Sequence, residues 1–146
     1  MTQLAHMQRA LQLAAAQAGR TGDNPAVGCT LVKGGAVIAE AATAAGGRPH
    51  AEEQALTQAG EDARGAIAYV TLEPCARRMS GAPSCADLLI QAGIARVVIA
   101  ARDPHPYAAG AGIEGMRAAG IAVEIGLMEA EARSQNAAFF AKWDKD

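Results

Sequence analysis

A histidine and a glutamate one residue apart, His50-Ala51-Glu52, and two later cysteines, Cys75 and Cys85, are the residues whose types can do chemistry together. An imidazole and two thiolates suit zinc, and three protein ligands leave one position of a tetrahedral ion open for water. That open position distinguishes a catalytic zinc from a structural one. Zinc brings the pKa of water from about 15.7 toward about 7, so a nucleophile becomes available near neutral pH. Glu52, next but one to a ligand and not itself a ligand, is placed to take the water proton and hand it on. Taken alone, a His-x-Glu reads as a helix-start histidine followed by a solvated acid. Pro74-Cys75 after a strand and Cys85 before a helix turn that reading into a catalytic zinc site. The three cysteines, an odd number with no export signal in Met1-Thr2-Gln3-Leu4-Ala5-His6, argue against a disulfide framework.

These side chains need elements to bring them together. The helix formers of Ala51 to Ala59, stopped by Gly60, begin directly after His50. Ile67 to Leu72 reads as a strand, Glu73 to Ser84 as irregular, and Ala86 to Ala92 as a helix ended by Gly93. A helix start favours thiolate over thiol at Cys85. Upstream, Leu4, Met7, Leu11 and Ala14 mark an amphipathic helix over Leu4 to Ala18, and Val27 to Val32 with Ala36 to Ala41 flank Lys33-Gly34-Gly35 as a hairpin. Downstream come a strand over Arg96 to Ala101, a helix near Ile113 to Ala119, a strand over Ile121 to Ile125 and a last helix from about Met128 to Phe140. The order α-β-β-α-β-α-β-α-β-α predicts an α/β fold, a three-layer α/β/α sandwich whose mixed five-stranded sheet is largely parallel with an antiparallel edge. In such sheets the ends of strands and starts of helices form the ligand crevice. His50, Cys75 and Cys85 all fall there.

The 146 residues suit a single domain, 1–146. With 51% hydrophobic and 19% charged residues, the chain has the profile of a folded soluble protein rather than a disordered one. No apolar stretch is long enough to span a bilayer, and the expected location is the cytoplasm. The net charge of −2 and the lack of a basic run argue against a nucleic-acid partner and for a small-molecule substrate.

The His-x-Glu and Pro-Cys pair resembles the signature of the zinc deaminases, in which a glutamate that is not a ligand moves the protons. The generic signature has two residues between its cysteines, whereas nine stand between Cys75 and Cys85. With that long loop, the text is most similar to the deaminase half of the bifunctional riboflavin-biosynthesis deaminase/reductase, a cytidine deaminase-like family. Asn24-Pro25-Ala26-Val27-Gly28-Cys29, His50-Ala51-Glu52, Ala68 to Cys75, Asp103-Pro104 with Pro106, and Gly110-Ala111-Gly112 carry the resemblance. Ala119-Gly120-Ile121, Val123, and Asn136 before Phe139 extend it almost to the end of the chain. The resemblance implies a Zn2+ held by His50, Cys75 and Cys85, proton transfer by Glu52, a pyrimidine contact from Asn24, and a homodimer. Its default substrate is the ribosylaminopyrimidine phosphate of riboflavin biosynthesis. Two departures bear on that substrate. Thr43 stands where the family carries a substrate-contacting histidine, and the loop Ala76 to Ser84 replaces a phosphate-contacting sequence and is one residue longer. The family's reductase half has no counterpart in these residues.

Arg77 and Arg78 in that loop could clamp a phosphate or carboxylate bidentately, or be solvated loop charge. His105 is a candidate substrate contact on the loop after a strand, a plain loop histidine otherwise, and seldom a fourth ligand. Cys29 reads as a buried inert thiol, His6 as a helix-surface histidine, and Asp103 as shaping a turn with Pro104. Phe139, Phe140 and Trp143 read as helix packing or a subunit contact rather than a stacking platform. Other functions stay in competition: a deaminase of another nucleobase, nucleoside or small heterocycle, a structural zinc module, or a nucleic-acid-editing deaminase.

Overall fold

The computed structural model describes residues 2–76, 81–104 and 110–142. Helix α1 (Gln3–Ala16) leads through a turn-rich segment to the hairpin β1 (Gly28–Lys33) and β2 (Ala36–Ala42). Helix α2 (Ala51–Ala59), strand β3 (Ile67–Leu72), helix α3 (Cys85–Gln91), strand β4 (Arg96–Ala101), helix α4 (Ala111–Ala118) and strand β5 (Ala122–Ile125) follow in alternation. The chain then forms α5 (Glu129–Gln135) and α6 (Ala137–Ala141). The strands lie in the order β2-β1-β3-β4-β5.

The five-stranded mixed sheet and its helices are as expected, but the balance of directions differs. β1 pairs antiparallel with both β2 and β3, while β3–β4 and β4–β5 are parallel, so half of the pairings are antiparallel. The hairpin enters the sheet beside β3 through its first strand, which leaves β2 at the edge.

Alternation along the strands builds the two apolar layers. Leu31, Val70, Val97 and Ile99 face one side with Ala51, Ala55, Leu89, Ile113 and Met116 from α2, α3 and α4. Tyr69, Val98 and Ala100 face the other, with Met7, Ala10, Leu11, Ala132 and Phe140 from α1, α5 and α6. Helix α1 comes so close to β1 that a Cβ at Gly28 would lie 1.8 Å from the Ala10 carbonyl oxygen. Only a glycine permits that approach.

Two expectations are corrected here. His6 is not on the surface of α1. It is 2% exposed and tilted against Tyr69 with ring centroids 5.1 Å apart, because α1 turns this face to the sheet. The last helix is not continuous either. It breaks at Asn136 (φ −118°, ψ 40°), whose side chain bonds backbone elsewhere instead of continuing the helical pattern. Cys29 is fully buried, as read from its apolar neighbours, and burial pushes its thiol pKa up, in keeping with an inert role. No helix among the described residues is long and apolar enough to cross a membrane.

Candidate metal centre and pocket

His50 is the N-cap of α2, with extended backbone (φ −70°, ψ 160°). Two side chains of the same helix hold it there. Glu53 Oε1 accepts from the His50 backbone N–H at 3.0 Å, closing the first turn. Gln54 Nε2 donates to the Ala42 carbonyl at 2.6 Å and to the Pro49 carbonyl at 3.0 Å, which ties the residue before the imidazole to the end of β2.

Cys75 follows β3 by three residues, and Cys85 is the first residue of α3. Helix α3 is capped reciprocally, with Ser84 Oγ accepting from Asp87 N at 3.1 Å and Asp87 Oδ2 accepting from Ser84 N at 3.3 Å. The cap sets the direction of the helix so that the backbone N–H of Cys85 points at Cys75 Sγ, 3.2 Å away. Ala86 N donates to the Cys75 carbonyl at 3.0 Å. Cys75 is thereby fixed by the helix that carries the other thiol.

The donor atoms of His50, Cys75 and Cys85 all lie within 4.8 Å of one another. His50 Nδ1 stands 3.3 Å from Cys85 Sγ and 3.9 Å from Cys75 Sγ. A tetrahedral zinc with Zn–S near 2.3 Å and Zn–N near 2.0–2.1 Å requires N···S edges of about 3.5–3.6 Å. The observed pair brackets that value, and the donor set is one that zinc takes. The Cys85 thiol and the His50 imidazole, facing Cys75, hold its thiol pKa down at about 4, which favours the thiolate that a metal binds.

Glu52 lies in the first turn of α2, buried, and lines the same cavity as His50 and Cys75. Burial pushes its carboxyl pKa up to about 7, with the neighbouring Cys75 adding to the rise. A carboxyl poised there exchanges protons near neutral pH.

The cavity holds about 230 Å³, suited to a small ring rather than a drug-sized molecule. Asn24, Thr43, Glu73 and Asp103 give it polar wall, while Pro25, Val27, Leu72 and Phe139 give it apolar wall. Asn24 donates from Nδ2 to the Gly47 carbonyl at 3.3 Å, and a Cβ at Gly47 would stand 2.3 Å from that nitrogen. The Thr43 hydroxyl accepts from Val27 N at 2.9 Å and is 3.4 Å from the Val27 carbonyl, so it stitches β2 to the segment before β1. Arg77, Arg78, His105 and Trp143 lie outside the described residues.

Sequence reasoning overlooked three contributors. Glu73, 5% exposed, accepts from Asp103 N at 3.1 Å and from Gly110 N at 2.8 Å, so a single carboxylate holds both flanks of the loop after β4. Burial raises its pKa, opposed by those two N–H groups. The signal available was an acid at the end of an apolar strand, beside a ligand. Phe139 lines the cavity rather than only packing within the helix, whereas Phe140 is buried in the core as expected. Asn136 stands among the residues that carry the family resemblance, but nothing in the sequence marks it as a contact to the Ala26 backbone.

Comparison with known proteins agrees with this geometry. Residues 1–101 match the family model for the cytidine and deoxycytidylate deaminase zinc-binding region. The chain is 47% identical over 135 residues to the riboflavin biosynthesis protein RibD of Aquifex aeolicus, covering 92% of this chain and 38% of that protein. It is 41% identical to the diaminohydroxyphosphoribosylamino-pyrimidine deaminase of Buchnera aphidicola subsp. Schizaphis graminum, covering 94% of this chain and 92% of that one. Among solved structures, the diaminohydroxyphosphoribosylaminopyrimidine deaminase/5-amino-6-(5-phosphoribosylamino)uracil reductase of Thermotoga maritima superposes with a TM-score of 0.88 at 42% identity, over 96% of this chain and 40% of that one. The chain thus spans well under half of the Aquifex RibD and the Thermotoga deaminase/reductase, and nearly all of the Buchnera deaminase.

Proposed function

The chain belongs to the cytidine and deoxycytidylate deaminase family, and on that premise we propose that it hydrolyses an exocyclic amino group off a pyrimidine-type ring, its substrate being the ribosylaminopyrimidine phosphate of riboflavin biosynthesis. The observation that carries this reading is geometric: the donor atoms of His50, Cys75 and Cys85 lie within 4.8 Å of one another, and the buried Glu52 shares one small cavity with His50 and Cys75.

His50, Cys75 and Cys85 would hold zinc, which when bound would supply the Lewis acidity that makes water nucleophilic near neutral pH. Glu52 takes the water proton on its carboxylate, delivers it to the ring nitrogen, and carries the second proton to the departing amine. Amine and water become ammonia and a ring carbonyl, and Glu52 ends as it began. Asn24 orients the ring edge, held in place through Gly47. Thr43 acts on the pocket through Val27, since its hydroxyl faces that backbone. Arg77 and Arg78 are the cations assigned to the substrate phosphate. The same reading takes residues 1–146 as one domain of a cytoplasmic homodimer.

The test is ammonia release by the zinc-loaded protein from the ribosylaminopyrimidine phosphate, its dephosphorylated form, cytidine and cytosine, alongside Glu52→Gln. We expect turnover of the phosphorylated compound, and a loss of about 10²–10⁴ in kcat for Glu52→Gln at unchanged zinc content. Turnover confined to unphosphorylated compounds overturns the substrate assignment. Full activity in zinc-loaded Glu52→Gln overturns the mechanism.

A further inference from the structure

The wall of the cavity that His50 and Cys75 line also includes Asn24, Pro25 and Val27. This segment precedes β1 and belongs to no helix or strand. A second, more open cleft adjoins it, lined by residues on either side of Asn24 and by the α5–α6 junction. Asn24, Pro25 and Phe139 border both spaces. A stretch of wall with open space on each side has room to move unless something braces it.

Asn24 and Val27 are tied to Gly47 and Thr43, and Ala26, between them, is braced by Asn136. Its Oδ1 accepts from the backbone N–H of Ala26 at 3.0 Å, and its Nδ2 donates to the Ala26 carbonyl at 2.9 Å, across 110 residues of sequence. One planar amide thus meets both backbone groups of Ala26, as a neighbouring strand would. Asn136 can do so because the helix breaks there, between α5 and α6. The junction itself is anchored on both sides. Gln135 Nε2 donates to the Leu11 carbonyl at 2.8 Å, and Phe140 is 3% exposed with the Arg133 guanidinium 4.6 Å from its ring centroid. Three residues after the brace, Phe139 reaches the cavity, edge-on to Phe140 at 5.7 Å.

We propose that Asn136 is a positioning residue for substrate binding: its two-point bond to Ala26 fixes the Asn24–Pro25 wall, and the helix break that frees it sets Phe139 as the apolar face against which the substrate ring lies. The proposal rests on the deaminase reading for its ligand but not for the brace itself. Substrate recognition in this fold then depends on the C-terminal turn, remote in sequence from the metal ligands. Asn136 and Phe139 act by different routes. Losing the first loosens the wall, and losing the second removes the surface facing the ring.

The test compares zinc-loaded wild type, Asn136→Ala and Phe139→Ala in steady-state kinetics and in amide hydrogen exchange resolved to residues 24–28. Asn136→Ala is expected to raise KM about tenfold, the loss of two neutral hydrogen bonds, with kcat within about threefold. Exchange at Ala26 should accelerate while the amides of α2 and α3 keep their protection. Phe139→Ala should raise KM and leave exchange at Ala26 unchanged. Asn136→Asp retains an acceptor for the Ala26 N–H but sets a carboxylate oxygen against the Ala26 carbonyl in place of the donor, so it should raise KM and speed exchange at Ala26 at least as much as alanine does. It replaces the alanine variant if that one does not fold. Unchanged KM together with unchanged exchange at Ala26 overturns the proposal, as does a loss of zinc that accounts for the kinetic change. If wild type releases no ammonia from any pyrimidine, the functional reading fails, and exchange at Ala26 still decides whether the brace exists.

Discussion

Replacing Glu73 should damage both stability and substrate binding, and the size of the effect follows from what its carboxylate holds. The side chain is 5% exposed and accepts from two backbone N–H groups, those of Asp103 and Gly110, at 3.1 and 2.8 Å. Hydrogen bonds to a charged group contribute about 1.5–3 kcal/mol each, so the pair sums to roughly 3–6 kcal/mol. Burial of the charge works the other way, since it raises the pKa of Glu73 despite the two donors. Allowing for that offset, Glu73→Ala should cost about 2–4 kcal/mol. Glu73→Gln keeps one acceptor oxygen without the buried charge and should cost about 1–2 kcal/mol. For a chain of this size each kcal/mol moves Tm by about 2–4 °C, so the alanine variant should melt roughly 4–16 °C lower. Because Asp103 lines the cavity, KM should rise in both variants at retained zinc content. Thermal unfolding by circular dichroism and steady-state kinetics on the zinc-loaded proteins read these quantities. An alanine variant within about 1 kcal/mol of wild type, or a glutamine variant as unstable as alanine, would refute the assignment of both loop flanks to this carboxylate.

Two further outcomes follow from the packing of α1. A methyl group at Gly28 meets backbone, 1.8 Å from the Ala10 oxygen and 2.7 Å from its carbon, so Gly28→Ala should force α1 off the sheet at a cost of about 3 kcal/mol or more; a Tm within 2 °C of wild type would contradict it. Burial lowers the pKa of His6 below its usual 6.5, and its Nδ1 has no hydrogen-bond partner among the described residues. A depressed folded-state pKa means that the unfolded chain binds more protons, so the His6 contribution is whole above about pH 6.5 and is lost as pH falls through the folded value. His6→Phe, stacked on Tyr69 without the orphaned nitrogen, should be more stable than wild type by about 1 kcal/mol at neutral pH, with an advantage that widens toward pH 5. Urea unfolding at several pH values checks this, and parallel pH profiles would count against it.

How much of the site can be read from sequence depends on whether each residue's role is set locally or by a distant partner. The cluster of His50, Glu52, Cys75 and Cys85 is legible as a candidate metal centre because metal chemistry restricts the residue types and because each sits at a strand end or helix start that local pattern marks. Cys29 is legible from its apolar neighbours. His6 is not, because one histidine on an amphipathic helix falls on either face depending on a shift of about 100° per residue. The proportion of antiparallel pairing is not legible for a related reason. β-α-β alternation announces parallel neighbours, whereas the β1–β3 pairing joins strands separated by an edge strand and a helix, with no local mark of it.

Glu73 and Asn136 are the harder case. Each bonds backbone rather than side chains, so the partner's residue type leaves no trace in the sequence. Asn136 braces an alanine and Glu73 reaches the N–H groups of an aspartate and a glycine. Both nevertheless carry segments that line the cavity. The ligand set constrains the reaction through side-chain chemistry, which sequence displays. The shape of the pocket rests on amide and carboxylate groups that meet backbone across the fold. Thr43 belongs with this second group, for its hydroxyl faces the Val27 backbone. Substitutions at Thr43, Glu73 and Asn136 should therefore change which ring is accepted more than whether amine is hydrolysed, and the ratio of kcat/KM between competing pyrimidines is the quantity that separates the two effects.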